Sequence, residues 1–313
     1  MFPGKYYNIS LVPHDSMEKY FWTQKQDIGP SRRISHVMTY HSSKEKVLLF
    51  GGDSNQLLAD TWEWDGSEWT QVADTGPSPR QGSAMTYDSF RKRSVLFGGD
   101  ALGVGVVNDT WEWDGSEWTQ VADTGPSARR FHSLAYDTKE RKVVLFGGAA
   151  TSTSMLNDTW EWDGSEWTQV ADTGPSSRAN YAMTYDETSE NVVLFSGLSP
   201  QEVPGDTWTW KNSSWKNVQD IGPGSLFNSS MVHTIHGVIL FGGINRSSNV
   251  TNDNTWKWDG KFWTQSQDIG PTPRREHKMA YDIKRDRVVL FGGFTGTGGS
   301  ASAFGDTWEL KIV

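Results

Sequence analysis

Five arginines recur at matched places along this chain, Arg33, Arg80, Arg129, Arg178 and Arg274. The residue three positions on is His36, His132 or His277 after three of them and Tyr181 after Arg178. Arginine presents a rigid fork of donors that grips a carboxylate or phosphate through paired hydrogen bonds. Such forks converging on one place would make an anion site. Arginine and histidine together could also serve as electrophile and base in an isomerase- or lyase-type reaction on a sugar or other small molecule. Alternatively, each arginine ties its own segment to a neighbouring carbonyl or to the aspartate of a recurring Asp-Thr-Trp, which makes it frame. Three histidines raise the question of a metal, but the pattern places no acidic companion beside them, and no metal site is expected.

Other chemistry is excluded by what the chain lacks. Its 313 residues contain no cysteine, so a disulfide scaffold, a thiolate zinc site, a cysteine nucleophile and a CxxC redox pair are out. The GxSxG and HExxH signatures are missing as well. A formal charge of -9 with scattered basic residues argues against nucleic acid. No apolar run approaches the ~20 residues of a membrane-spanning helix. The first twenty residues lack the apolar core and small-residue cleavage site of a secretory signal, which favours a cytoplasmic over a secreted protein. Seven Asn-x-Ser/Thr triplets occur, two of them inside repeated Asn-Asp-Thr turns where turn chemistry explains them first. No cofactor is expected.

The elements that would position these residues are repeated. The segment WEWDGSEWTQVADTGPS stands unchanged at residues 62–78, 111–127 and 160–176, and weaker copies complete the series. An apolar strand ending Phe-Gly-Gly recurs at Phe50, Phe97, Phe146, Phe195 (here Phe-Ser-Gly), Phe241 and Phe291, a period near 49 residues. Each unit reads as four short strands, because β-branched and aromatic residues gather in short runs bounded by Asp-Gly, Gly-Gly and Gly-Pro. Asp-Gly between two tryptophan strands is a hairpin signal.

The double glycine after an apolar strand, the following Asp-Thr-Trp, the later tryptophan and the Arg33/His36, Arg129/His132 and Arg274/His277 pairs resemble the kelch repeat family. The resemblance implies an all-β fold: a six-bladed β-propeller of four-stranded antiparallel blades around a channel. It also implies ring closure by pairing of the N-terminal strand, residues 20–25, with the C-terminal blade. The repeats would begin near residues 32, 79, 128, 177, 225 and 273 of one domain spanning 20–313. Residues 1–19 would be a disordered leader or an extra strand. In such a propeller the first strands line the channel, placing the arginines near its mouth. The copper site of galactose oxidase, a related propeller, needs a cysteine-modified tyrosine, which this chain cannot make; no carboxylate set like the iron site of plant specifier proteins is present either.

All 17 tryptophans fall at three repeat positions, so packing between blades is expected of them rather than sugar stacking. Only the connection between second and third strands varies freely, with lengths of 7, 9, 9, 8, 10 and 12 residues. These connections share a face with the arginine-bearing ends, and loops of divergent length on a copied frame suit recognition. Leu57, Val106, Met155, Val203, Arg246 and Phe304 represent them. The fifth unit breaks the pattern with Leu226 in place of arginine, His233-Thr234 in place of Tyr-Asp, and an added His236. Catalysis, if present, would be sought around Arg178, Tyr181, Asn228, Arg274 and His277. The leading expectation is a monomeric binding scaffold for a protein or other macromolecule, with a small anionic or sugar ligand at the channel mouth as a secondary site.

Overall fold

The apolar runs of the repeat show no alternation because both of their faces are covered. Val47, Leu48, Leu49 and Phe50 are all essentially inaccessible, as are their counterparts in every copy. The fourth strands behave oppositely: in Trp69–Ala73 only the tryptophan is buried, and threonine, glutamine and valine face solvent along an outer edge. The computed structural model describes residues 18–25, 28–200, 204–219, 222–266, 269–296 and 299–313. Residues 1–17 of the expected leader and the expected loop residue Val203 lie outside them.

Among the described residues the strands assemble into a succession of antiparallel sheets. Sheet one comprises Val37–His41, Lys46–Asp53, Leu57–Trp64 and Trp69–Ala73. Sheet two contains Ala84–Asp88, Arg93–Ala101, Gly105–Trp113 and Trp118–Ala122, with Arg80–Gln81 added beside its second strand. Sheet three is built of Ser133–Asp137, Lys142–Ala149, Met155–Trp162 and Trp167–Ala171. Sheet four holds Ala182–Asp186, Asn191–Phe195, Thr207–Lys211 and Ser214–Gln219. Sheet five holds Ser230–Thr234, Gly237–Phe241, Thr255–Trp258 and Trp263–Gln265. In sheet six, Lys278–Asp282, Arg287–Phe291 and Thr307–Ile312 are joined by Tyr20–Gln24, with Trp22 opposite Leu310. Lys19 and Val313 exchange a further pair of backbone hydrogen bonds, so this pairing starts before residue 20.

Each sheet is locked to the one before it by a shared set of contacts. The fourth-strand tryptophan donates its indole N–H to the threonine of the preceding Asp-Thr-Trp (Asn-Thr-Trp in sheet five): Trp118 to Thr61, Trp167 to Thr110, Trp215 to Thr159, Trp263 to Thr207, Trp22 to Thr255 and Trp69 to Thr307, at 2.8–3.2 Å. Its ring packs on the phenylalanine of the same preceding sheet, as in Phe50–Trp118 and Phe291–Trp69, with centroids 5.1–5.5 Å apart at all six junctions. Aromatic pairs in this geometry add about 0.5–1.5 kcal/mol each beyond the area they bury. The tryptophans are therefore frame. Third-strand tryptophans such as Trp64 and Trp113 are fully buried and stack across the hairpin on Trp69 and Trp118.

A backbone belt joins the first-strand ends. Gly82 N–H donates to Ser35, Phe131 to Gly82, Asn180 to Phe131, Asn228 to Asn180, Glu276 to Asn228, and Ser35 to Glu276, at 2.7–3.2 Å. The series returns to its own start. All six residues adopt φ between 52° and 65°, although only one is glycine. That left-handed conformation costs roughly 1–2 kcal/mol for an ordinary residue, and the belt hydrogen bonds offset it.

The double glycine is needed for a related reason. The amides of Gly99, Gly148, Gly197, Gly243 and Gly293 each donate to the backbone carbonyl of residue 129, 178, 226, 274 or 33 in the next sheet. At Gly148 φ is +98°, and a Cβ would lie 2.7 Å from the Cβ of His132. Gly103, at a hairpin tip with φ +75°, has nothing within 4 Å. Gly148→Ala should thus destabilise the protein by more than 2 kcal/mol, whereas Gly103→Ala should cost no more than about 1–2 kcal/mol. Denaturant midpoints of the two variants check this, and equal shifts would refute the packing role of the glycine.

Candidate functional site

The five arginines are buried to within 2% of completely, and every donor of each guanidinium is engaged. In Arg129, Nε donates to the Ser127 carbonyl, Nη1 to the Gly147 carbonyl and Asp158 Oδ1, and Nη2 to Ser127 Oγ and Asp158 Oδ2. The same five bonds recur at Arg33 with Asp60, Arg80 with Asp109, Arg178 with Asp206 and Arg274 with Asp306. The neighbouring tryptophan, such as Trp160, donates its N–H to the same aspartate at 2.7 Å. A guanidinium with all five N–H groups used has nothing left for a ligand. The expectation of an arginine-lined anion site is corrected accordingly, and the tie to the Asp-Thr-Trp aspartate replaces it.

The residues three positions on are packed rather than presented. His36 lies edge-on to Phe291, His132 to Phe97, His277 to Phe241 and Tyr181 to Phe146, each ring reaching the preceding sheet at 5.4–5.7 Å. Tyr181 donates its hydroxyl to the Phe146 carbonyl. Burial, reinforced by the nearby arginine, holds the His36 and His277 imidazoles well below their ordinary value and His132 at about 3. They stay neutral near pH 7. Among the described residues no cluster of three or more His, Asp or Glu side chains suited to a metal comes together. The set named for catalysis is likewise not assembled: Arg178 and Arg274 are held in their forks, Tyr181 is tied to the Phe146 carbonyl and Asn228 to Glu276.

Sheet five shows what happens when the fork is absent. Leu226 replaces arginine, Asn254 replaces its aspartate, and the Trp256 indole N–H that would have used the aspartate has no partner. Ser196, which stands for the first glycine of the preceding unit, accepts the Leu226 N–H at its hydroxyl. The irregularities of sheets four and five are one coupled repair.

The variable connections share one end of the sheets. In sheets one to three they are not free loops: second and third strands run on past a bulge, so Leu57 pairs with Asp53, Val106 with Asp100 and Met155 with Ala149. These three expected contact residues are consequently half-buried hairpin residues. Phe304 is also half-buried, its ring 4.4 Å beneath the Arg274 guanidinium. Arg246 is exposed in a tight turn capped by Asn245. Sequence reasoning missed the apolar tip residues Leu102 and Val104 and the strand residue Val250 just past its turn, each more than half exposed. For Leu102 and Val104 their position around Gly103 was the available signal.

A cavity of about 580 Å³ runs between the first strands of all six sheets. Toward the belt it gives way to a space of about 40 Å³ lined by Ser35, Asn180, Asn228, Glu276 and their neighbours. Lys278 lines both. Sequence reasoning passed over this residue, yet the alignment carries it: the matched positions hold Val37, Ala84, Ser133, Ala182 and Ser230.

Repeated four-stranded antiparallel sheets, the double-glycine junctions and the arginine forks define an all-β, propeller-like repeat protein. A family model described as the KLHDC2/KLHL20/DRC7 Kelch-repeats domain matches residues 12–197, and the chain belongs to the kelch repeat family. No curated protein sequence matches it. No helix among the described residues is long and apolar enough to cross a membrane.

The forks generate two predictions. Asp158→Asn strands a buried guanidinium and should cost about 3–5 kcal/mol. Adding Arg129→Leu to it, which reproduces the Leu226/Asn254 pair, should restore much of that loss; chemical denaturation of both variants decides, and a double variant no more stable than Asp158→Asn would refute the fork. Burial alone would raise Asp60, Asp109, Asp158 and Asp306, but the hydrogen bond and charge of their arginines hold all four below the usual carboxylate value. Their folded values are depressed, so the stability they confer is present above the unfolded value near ~3.9 and is lost as pH falls through the folded values. Unfolding monitored below pH 4 should show this acid loss, reduced in the Arg129→Leu/Asp158→Asn variant.

Proposed function

We propose that this kelch-repeat chain folds, over residues 20–313, as a single monomeric six-bladed propeller closed by the Tyr20–Gln24 strand. In this reading it acts as a scaffold that binds a protein partner through the face carrying the second-to-third connections. Membership in the kelch repeat family supports a protein-interaction scaffold. The return of the belt from Glu276 to Ser35 and the pairing of Trp22 with Leu310 support closure. One contrast carries the choice of face. The opposite WDGSEW turns are identical in three copies, with Asp65, Asp114 and Asp163 each accepting the N–H groups two and three residues on. The connections on the chosen face differ in length, conformation and tip chemistry, and expose Leu102, Val104 and Val250. A copied frame with one divergent face presents a unique surface to one partner.

Affinity capture with three proteins tests this: the wild type, a Leu102→Ser/Val104→Ser/Arg246→Ser variant and a turn-face Ser67→Arg/Ser116→Arg variant. Partner recovery should fall at least tenfold for the first variant and hold for the second. Retention by the tip variant with loss from the turn-face variant would reverse the assignment of faces.

A further inference from the structure

The channel holds an ammonium group that the frame does not use. Lys278 projects from the first strand of sheet six, where five other sheets carry valine, alanine or serine. Its Nζ makes no hydrogen bond or ion pair with another group of the described residues, although it lines both axial spaces. Glu276, the nearest acid of its own strand end, is occupied otherwise: Ser35 Oγ donates to its Oε2 at 2.6 Å and Asn228 Nδ2 to its Oε1 at 3.2 Å. Burial raises that carboxyl above its ordinary value and lowers the Lys278 amine below its own, while the charge of Glu276 still favours the ammonium.

The walls around Lys278 are polar at its own level and mixed beyond it, where Thr39, Thr86 and Thr184 also line the cavity. Ser229, whose buried hydroxyl has no partner, lines both spaces there, beside the His132 ring packed against Phe97. Farther along, Met38, Met85, Leu134, Met183, Met231 and Met279, one from each first strand and each largely buried in the core between sheets, border the larger cavity. Methionine walls adapt to irregular apolar bodies. At the end away from the belt the lining includes Ile235 and Ile283, both more than half exposed. The space thus has a hydrogen-bonding inner end with one amine, and a longer section in which apolar side chains alternate with threonines and which opens at a rim shared by Ile235, Ile283, Ser42, Ser89, Thr138 and Glu187.

We infer that the axial channel binds a small monocarboxylate with an apolar body, its carboxylate on Lys278 and Ser229 under the belt and its body along the methionine wall. Several features select this ligand class. A volume of about 580 Å³ lies in the range of small-molecule sites. One ammonium without an arginine fork matches a single negative charge better than a phosphate dianion. The narrow belt end, about 40 Å³, directs entry from the Ile235 and Ile283 side. The site is independent of the loop face, so failure of either reading leaves the other standing.

Calorimetric titration of the full chain with octanoate tests the site, with 4-phenylbutyrate as a second probe and 1-octanol as the uncharged control. Octanoate should bind saturably with one site per chain, at least tenfold more tightly than octanol. Lys278→Ala should lose at least tenfold in octanoate affinity while Lys278→Arg keeps most of it, both with native near-UV circular dichroism from the tryptophans. Absence of saturable binding for both acids, equal affinity for octanoate and octanol in the wild type, or unchanged affinity in folded Lys278→Ala would each overturn the proposal. The octanol comparison needs no variant, so it decides even if Lys278→Ala misfolds.

Discussion

The belt of backbone hydrogen bonds through Ser35, Gly82, Phe131, Asn180, Asn228 and Glu276 is the constraint on which the remaining geometry depends. Each link takes an N–H from one sheet and a carbonyl from its neighbour, which fixes both the separation and the rotation of the two sheets. Side chains at these positions vary from glycine to phenylalanine because the bond uses main chain alone. What cannot vary is the left-handed φ, found at all six. With the inner ends fixed, the outer ends need a spacer of one size, and the Phe–Trp–Thr contact supplies it at every junction. The double glycine lies between these anchors, where the neighbouring backbone approaches too closely for a Cβ.

Departures from the repeat fall into two physical kinds. In sheets four and five, Leu226, Asn254 and Ser196 compensate one another: a charge disappears together with its counter-charge, and a hydroxyl takes over the freed amide. Such a set leaves the frame intact and adds no new group to any open surface. Lys278 in sheet six is different, because it replaces no structural partner and faces the axial spaces, whereas the neighbouring Glu276 is taken up by Ser35 and Asn228. A half-buried ammonium without a partner is costly, and nothing in the frame requires it there. Symmetry-breaking by itself is therefore a poor guide to function; whether the break is compensated within the frame is the better one.

The fold was legible because the repeat is dense in residues with one structural use. Glycine pairs, the Asp-Thr-Trp start and fixed tryptophan spacings each report a backbone or packing demand that recurs with the period. The arginines were not legible in the same way, since an identical guanidinium suits an anion pocket or an internal aspartate, and only the count of occupied donors separates the two. Leu57, Val106 and Met155 were placed in loops because the sequence marks a connection by its glycines, whereas the strands pair on through the bulge beyond them. Lys278 was not legible either, because a lone lysine in a strand reads as solvated.

The charge balance of the molecule reinforces the division between frame and site. Each fork buries a cation and partly buries an anion, a combination that is costly to break yet contributes no net charge to the interior. The neutral histidines add none either, because burial and the adjacent guanidinium both oppose their protonation. Along the axis this leaves the Lys278 ammonium as a cation that no fork neutralises, in a protein whose overall charge is -9. The outer field repels anions, so an acid that enters the channel is held by local contacts rather than by long-range attraction. In the proposed complex an apolar body gains free energy from the apolar part of the wall, at roughly 25 cal/mol per Å² removed from water, while the ammonium fixes its direction. Selectivity along this axis then comes from the amphipathic character of the ligand, not from its charge alone.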